Sequence, residues 1–387
     1  MFKIIYPESD ATLYEALPKN NTGLDEILEV GKRLSSISGS NYLKSRSVLK
    51  FDMADVNSAL TKYDINIENC KFMLQLYTTH AKNLSANYTI DANLVGDSWT
   101  NGTGFESTNV PIVDGVTWNS PKSGSYFWTS GSQDININGS SLYISGSGKG
   151  GSWLYQSGSG IFGSTAFSQS FSNQPGLNLN ESFSYRPTDL NIDVTGAVKT
   201  WISGSGGKII PNFGFLLKFS DQNESDTSIT GYVRFFSRET HTIYVPRLTM
   251  YFDKSTFDTG SLIEYNPDSY TLYTQLKKEY KDTAVSKIRI YSRDKYPQKS
   301  PTNKFPMTTV KYLPNTTLYS LKDAATDEVI IPYDSNYTKV SCDETSNFIT
   351  MDMSGLMPER YYRLEFKIVN GYMEDFIDDE FYFKIIR

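Results

Sequence analysis

Short segments in which apolar and polar residues alternate recur along the whole chain. Residues 47–52, 71–77 and 231–236 are examples, each rich in aromatic or β-branched side chains and flanked by turn residues. This pattern is typical of strands that bury one face in a core. Helical periodicity is scarce, and it predicts short helices over residues 53–62 and 193–202. The sequence therefore predicts an all-β fold built from sandwiches.

The composition agrees with this fold class and argues against several functions. Among 387 residues there are 27 Tyr, 22 Phe and 5 Trp, which favour pleated, half-buried surfaces. Only 2 Cys and 2 His are present, so a disulfide framework is excluded. The net charge of −6, without a basic run, argues against a nucleic-acid partner. Neither a signal peptide nor a membrane-spanning apolar stretch is visible, so we expect synthesis in a host cytoplasm and no membrane partner.

Polar turn residues gather at positions 253–267 and predict a domain boundary. We expect residues 1–254 to form a jelly-roll-like β-sandwich and residues 286–387 an immunoglobulin-like β-sandwich. Residues 255–285 are predicted to be a short connector, with a helix over residues 268–281. Val194, Val198 and Trp201 share one face of the helix predicted over 193–202 and are expected to close one end of the first sandwich.

The segment 121–175 is rich in Gly and Ser but also carries many aromatic residues. Disordered linkers are poor in aromatics, so we predict an ordered excursion from the first domain. Long insertions on a rigid scaffold are a common place for function. The large aromatics in and beside it are therefore candidates for an interface or a ligand site, although Trp and Tyr fill cores equally well. These candidates are Trp99, Trp118, Tyr126, Trp128, Tyr143, Trp153, Tyr155 and Phe162.

Side chains that could support catalysis are few and scattered. His80 and His241 lie at the ends of predicted strands, and no G-x-S-x-G elbow accompanies them. Cys70 and Cys342 fall in different predicted domains, so joint chemistry is not favoured. We therefore predict no catalytic residues and no enzyme activity.

Two acidic segments were considered as ligand or catalytic sites. Residues 374–380 indicate a solvated turn before the last strand rather than the paired carboxylates of a glycosidase. Residues 221–226 could supply oxygens to Ca²⁺, but they lack the spacing of a calcium loop and are expected to form an exposed hairpin loop. The sequence thus predicts no metal site and no cofactor.

Several segments together resemble one β-sandwich family. They are residues 6–14 (YPESDATLY), 45–52 (SRSVLKFD), Trp99, 115–118 (GVTW), 190–195 (LNIDVT) with Val198 and Trp201, 212–217 (NFGFLL) and 246–252. In this order they are similar to a DNRLRE-type domain over residues 1–254, with residues 121–175 as a departure from the family pattern.

Domains of this type occur in secreted prokaryotic proteins, some of which bind polysaccharide, and in virion proteins of tailed phages. The resemblance implies a non-enzymatic bacteriophage structural protein of the tail, baseplate or neck, located in the virion. Its partners would be other virion proteins, in a homo-oligomer or a multi-copy symmetric assembly. The alternative is an adhesion module of a phage fibre or surface protein that binds a carbohydrate or host receptor, which would make glycan a partner.

Overall fold

A computed structural model of the chain describes residues 1–35, 42–85, 87–108, 110–123, 126–134, 142–156, 166–172, 189–203, 210–228, 230–264, 270–302, 304–370 and 373–387. Strands account for 46% of the chain and helices for 9%, which confirms the all-β prediction. The chain divides into a large unit, residues 5–249, and a small unit, residues 1–4 with 250–387. Over the described ranges, no helix combines the length and the apolar character needed to cross a membrane.

The described residues between 2 and 252 form fifteen strands. They are β1 (Phe2–Ile5), β2 (Pro7–Tyr14), β3 (Ile27–Leu34), β4 (Tyr42–Phe51), β5 (Cys70–Leu76), β6 (Thr78–Lys82), β7 (Asn87–Leu94), β8 (Ser130–Asp134), β9 (Leu142–Ser147), β10 (Ser152–Gln156), β11 (Ala166–Ser172), β12 (Leu190–Asp193), β13 (Phe215–Phe219), β14 (Gly231–Phe236) and β15 (Arg247–Phe252).

The largest sheet of the large unit has the order β11-β7-β13-β4-β3-β14-β6, and β2 also pairs with β4. Strands β10, β9 and β8 form a separate antiparallel sheet, and β12 pairs with β5. Along β5, buried and half-buried residues alternate as the sequence pattern predicted. Because every second side chain points to the same face, this alternation fixes which residues enter the core.

Three α-helices accompany these strands: α1 (Met53–Tyr63), α2 (Thr195–Ile202) and α3 (Asp221–Ser225). Helix α1 begins where the Asp52 side chain accepts a hydrogen bond from the Ala54 amide at 2.8 Å. The predicted apolar face at α2 is confirmed, because Val194, Val198 and Trp201 are all buried. Helix α3 occupies the segment predicted to be a hairpin loop, so that prediction was wrong.

The described residues of the small unit form eleven further strands. They are β16 (Ile263–Glu264), β17 (Tyr270–Thr274), β18 (Glu279–Lys281), β19 (Val285–Asp294), β20 (Lys311–Tyr312), β21 (Leu318–Asp323), β22 (Val329–Ile331), β23 (Ser341–Cys342), β24 (Asn347–Asp352), β25 (Tyr361–Asn370) and β26 (Met373–Ile386). One sheet has the order β16-β20-β19-β24-β23, with β17 also on β19, and the other has the order β18-β26-β25-β21-β22.

Two local predictions in this unit were wrong. The helix expected over residues 268–281 is replaced by β17 and β18, while residues 265–269 lie outside the described ranges. Leu272 is buried between a half-buried Thr271 and an exposed Tyr273, which is the two-residue period of a strand. The acidic run 374–380 is not a turn, because it lies within the fourteen-residue strand β26.

Candidate interaction site

Three of the candidate tryptophans are structural. Trp99, Trp118 and Trp128 belong to one buried cluster of the large unit. The Trp99 indole N–H donates to the Phe213 carbonyl at 2.7 Å, and that of Trp128 donates to the Thr117 carbonyl at 3.0 Å. Their polar atoms are therefore satisfied inside the protein, and their rings are not free to meet a partner.

The ring of Trp153 also makes a contact inside the protein. The Arg46 guanidinium lies 5.4 Å from the ring centre of Trp118 and 5.5 Å from that of Trp153, so the two indoles flank one cation. Arg46 also donates to the Gly150 carbonyl at 2.6 Å. Strand β4 places Arg46 beneath the turn between β9 and β10, and the contact ties that turn to the main sheet.

Arg46 forms a buried, two-pronged ion pair with Glu224. Its Nε and Nη2 atoms donate to the two carboxylate oxygens at 2.9 and 2.6 Å. Burial alone would raise the pKa of Glu224, but the charge and hydrogen bonds of Arg46 hold that pKa below its ordinary value. Sequence reasoning missed this pair, because its members are 178 positions apart and no local spacing signals the contact.

The described part of the Gly/Ser-rich segment is organised by Asp97. Its carboxylate accepts from the Thr129 amide at 2.8 Å and from the Ser152 hydroxyl at 2.6 Å. It thereby joins the start of β8 to the start of β10. Gly150 has a φ of +70°, and a Cβ there would lie 2.7 Å from the Trp118 ring. Glycine is thus required by packing as well as by backbone conformation.

The remaining candidates differ in where their side chains lie. Tyr143 is half-buried on β9, directly opposite the backbone of Tyr155 on β10. The side chain of Tyr155 and the whole of Phe162 lie outside the described residues. Tyr126 is 72% exposed, and its neighbour Phe127, which the sequence analysis did not select, is 68% exposed. Of the six candidates whose side chains are described, Tyr126 is the one at the surface with a largely exposed ring.

Tyr126 and Phe127 line a cleft of about 240 Å³ on the large unit. We call this the 113–127 cleft; its other lining residues include Lys19, Val113, Asn119 and Lys122. The two lysines make no ion pair with any residue in the described ranges, and no carboxylate lines the cleft. The Asn119 Oδ1 atom is buried and has no hydrogen-bond partner within the described part of the chain. The cleft therefore offers an apolar wall and positive charge.

Two consecutive asparagines hold the cleft's loops in place. Asn21 Nδ2 donates to the carbonyls of Asn101 and Val116 at 2.6 and 2.7 Å, while its Oδ1 accepts from the Gly104 amide at 2.8 Å. Asn20 Nδ2 donates to the Phe105 carbonyl at 2.8 Å, and its Oδ1 accepts from the Ile112 amide at 3.1 Å. A buried amide that satisfies several loop carbonyls fixes a loop more firmly than apolar contact alone. The cleft is thus built in advance of any partner.

The other groups considered for chemistry do not converge. Cys70 and Cys342 are both buried, and burial raises the pKa of each thiol to about 11. His241 is exposed, 3.5 Å from a Glu26 oxygen, and His80 lies against the Tyr232 ring. Across the described ranges, no three His, Cys, Asp or Glu side chains are arranged to hold a metal ion.

Comparisons with known proteins show only faint similarity. No family model matches the sequence, and no curated protein matches it. A β-glucuronidase from Parabacteroides merdae aligns over 82% of this chain at 9% identity with a TM-score of 0.16, and the alignment spans only 28% of the enzyme chain. The adhesin domain of Epf from Streptococcus pyogenes aligns over 99% of this chain and 98% of its own, at 7% identity and a TM-score of 0.14. Similarities this weak assign neither a family nor a function.

Proposed function

We propose that this chain is a non-enzymatic structural protein of a tailed-phage virion, in the tail, baseplate or neck, which works by binding neighbouring subunits. The observation that carries the proposal is the 113–127 cleft with its exposed Tyr126 and Phe127. Aromatic residues that are exposed beside an apolar depression are typical of protein interfaces.

The distribution of the other aromatics supports the same proposal. Four tryptophans pack in the buried cluster or against Arg46. We therefore expect the scaffold beneath the cleft to be rigid. A rigid scaffold lowers the entropy lost when a partner binds. Binding of this kind needs no titrating group, which fits the scattered His and Cys residues. The virion assignment itself rests on the likeness to DNRLRE-type domains.

Mass spectrometry of purified particles tests the proposal. Particles from the source culture are banded on a density gradient and washed with high salt, and their proteins are identified and quantified. We expect this chain at a fixed ratio to the major particle proteins. Its absence from the banded particles, or its complete removal by the wash, would contradict the proposed function.

A second candidate function is carbohydrate binding, as in an adhesion module. The specific observation in its favour is that Tyr126 and Phe127 stand beside polar cleft residues such as Thr117 and Ser120, since exposed rings can stack on sugar faces. Glycan-array binding that is saturable in the wild type and lost in Tyr126→Ala would favour this function. Trp153 is a poorer probe, because its ring already contacts Arg46 and Lys218.

A further inference from the structure

The shape and charge of the 113–127 cleft restrict what can occupy it. Its volume of about 240 Å³ lies below the ~300–1,000 Å³ of typical small-molecule sites. It suits one bulky side chain better than a whole ligand. Lys19 and Lys122 stand at its edge without carboxylate partners in the described residues, on a chain whose net charge is −6. An occupant should therefore present an apolar side chain between acidic groups.

The small unit presents such a side chain. Phe376 on β26 is 62% exposed, and carboxylates lie on both sides of it along the strand. We call this surface the acidic ridge; it consists of Glu374, Phe376, Asp378, Asp379 and Glu380. The Tyr333 ring contacts Phe376 edge to face at 5.9 Å, and the Lys367 ammonium lies 5.4 Å from its centre. Both contacts hold the exposed ring in one position.

Part of the negative charge of the ridge is not neutralised by ion pairs with described residues. Glu374 pairs with Lys367 at 2.8 Å and Asp378 with Arg363 at 3.3 Å. Asp379 and Glu380 are exposed and make no ion pair with any described residue. Three other aromatics described in the small unit are more than half exposed, and each follows a lysine or an arginine in the sequence: Tyr296, Phe305 and Tyr361. They therefore do not match a basic cleft.

We infer that the 113–127 cleft binds the acidic ridge of a second copy of this chain, with Phe376 against Tyr126 and Phe127 and the ridge carboxylates beside Lys19 and Lys122. The inference rests on the proposed contact function and names its partner. Because the cleft and the ridge are different surfaces, the contact is head to tail. Such contacts close into rings or continue as filaments, which suits a protein present in many copies.

Sedimentation velocity of the purified full chain over a concentration series at low salt tests this inference. A cleft variant carries Lys19→Glu and Lys122→Glu, and a ridge variant carries Phe376→Ser and Asp379→Lys. We expect the wild type to self-associate in a salt-sensitive way. Each variant alone should self-associate at least about tenfold more weakly than the wild type, as expected for an interface hot spot.

Mixing the two variants gives the sharpest readout. The cleft variant keeps an intact ridge and the ridge variant keeps an intact cleft, so the mixture should form one-to-one dimers and nothing larger. This result also shows that each variant is folded. The matched controls are Lys277→Glu with Lys278→Glu, which makes the same charge change at exposed lysines, and Tyr296→Ser, which removes an exposed ring. Both should associate like the wild type.

Three outcomes would overturn the inference. They are a wild type that stays monomeric up to about 1 mM, variants that associate as the wild type does, and a mixture that forms no dimer. Glycan binding lost in the cleft variant, without self-association of the wild type, would assign the cleft to a sugar instead. If the chain is nevertheless found in particles, the proposed function stands and only the named partner is wrong.

Discussion

Arg46 shows how one buried cation can order distant parts of the large unit. Its guanidinium contacts a carboxylate, a backbone carbonyl and two indole rings. Charged groups are buried only where such partners compensate for lost water. Removal of any one partner therefore leaves a buried charge less well compensated.

Removal of Arg46 should therefore be severely destabilising. We expect Arg46→Ala to lower the unfolding free energy of the large unit by about 3–5 kcal/mol, because Glu224 loses both short hydrogen bonds and keeps only the longer ion pair with Lys44 at 3.5 Å. The double variant Arg46→Met/Glu224→Leu should recover a large part of the loss. Urea unfolding followed by tryptophan fluorescence measures both. As a control, Arg238→Ala breaks only a partly exposed pair with Glu239 and should cost under about 1 kcal/mol.

Asp10 is a second buried carboxyl, and among the described residues no salt bridge offsets its burial. Its side chain accepts from the Arg238 amide at 2.7 Å, and burial raises its pKa to about 7. A carboxyl with a raised pKa binds its proton more tightly in the folded state than in the unfolded state. Its contribution to stability is therefore greatest in acid and is lost as the pH rises from about 4 towards 7.

Replacement of Asp10 by asparagine should remove this pH dependence. Asparagine keeps the acceptor for the Arg238 amide and never ionises. We expect Asp10→Asn to be more stable than the wild type at pH 8, by ~2–4 kcal/mol, and to lose this advantage near pH 4. Thermal unfolding of both proteins across this pH range measures the difference. A constant difference at every pH would contradict the raised pKa.

The candidate residues show how far sequence reasoning reaches at this scale. A tryptophan serves a core and an interface equally well, so the sequence could not separate the buried Trp99, Trp118 and Trp128 from the exposed Tyr126. The separation depends on strand register and on contacts between distant residues. Phe127 lies in the same sequence context as Tyr126. Only its exposure in the structure identifies it as a candidate contact residue.

At the scale of elements, sequence patterns were most reliable where one face of a strand is buried. Strands β5 and β14 follow their predicted segments closely, because alternation and burial share a period of two residues. Helix α1 was predictable from its own periodicity, and Asp52 supplies its cap. One failure was α3, where a loop was expected. The others were β17 and the acidic part of β26, where pairing with a neighbouring strand overrides a polar or ambiguous local pattern.

The turn before β10 offers a test of the Gly/Ser-rich segment. A Cβ at residue 150 would meet the Trp118 ring, whereas Gly131 has a similar φ of +77° and nothing within 4 Å of its Cβ position. We expect Gly131→Ala to cost about 1 kcal/mol for its backbone alone. Gly150→Ala should cost a further ~1–3 kcal/mol for the clash. Equal unfolding midpoints for the two variants would show that the turn does not pack on Trp118.

At the scale of the whole molecule, the proposed contact uses one surface from each unit. The tryptophans of the large unit pack in its core, and its surface carries the 113–127 cleft. The small unit carries the acidic ridge on its fourteen-residue strand β26. The all-β class was predictable from alternation alone. The cleft was not, because Lys19, Val113 and Tyr126 are separated in sequence and are brought together by Asn20 and Asn21.

Lysine footprinting of assembled particles tests whether a partner covers the 113–127 cleft. Particles and free chain are treated with an amine-reactive reagent, and the modification of each lysine is quantified by mass spectrometry. If the chain functions by contact through the 113–127 cleft, Lys19 and Lys122 should be protected in particles, while the exposed Lys277 and Lys278 react equally in both states. Equal modification of Lys19 and Lys122 in free and assembled chains would contradict the account.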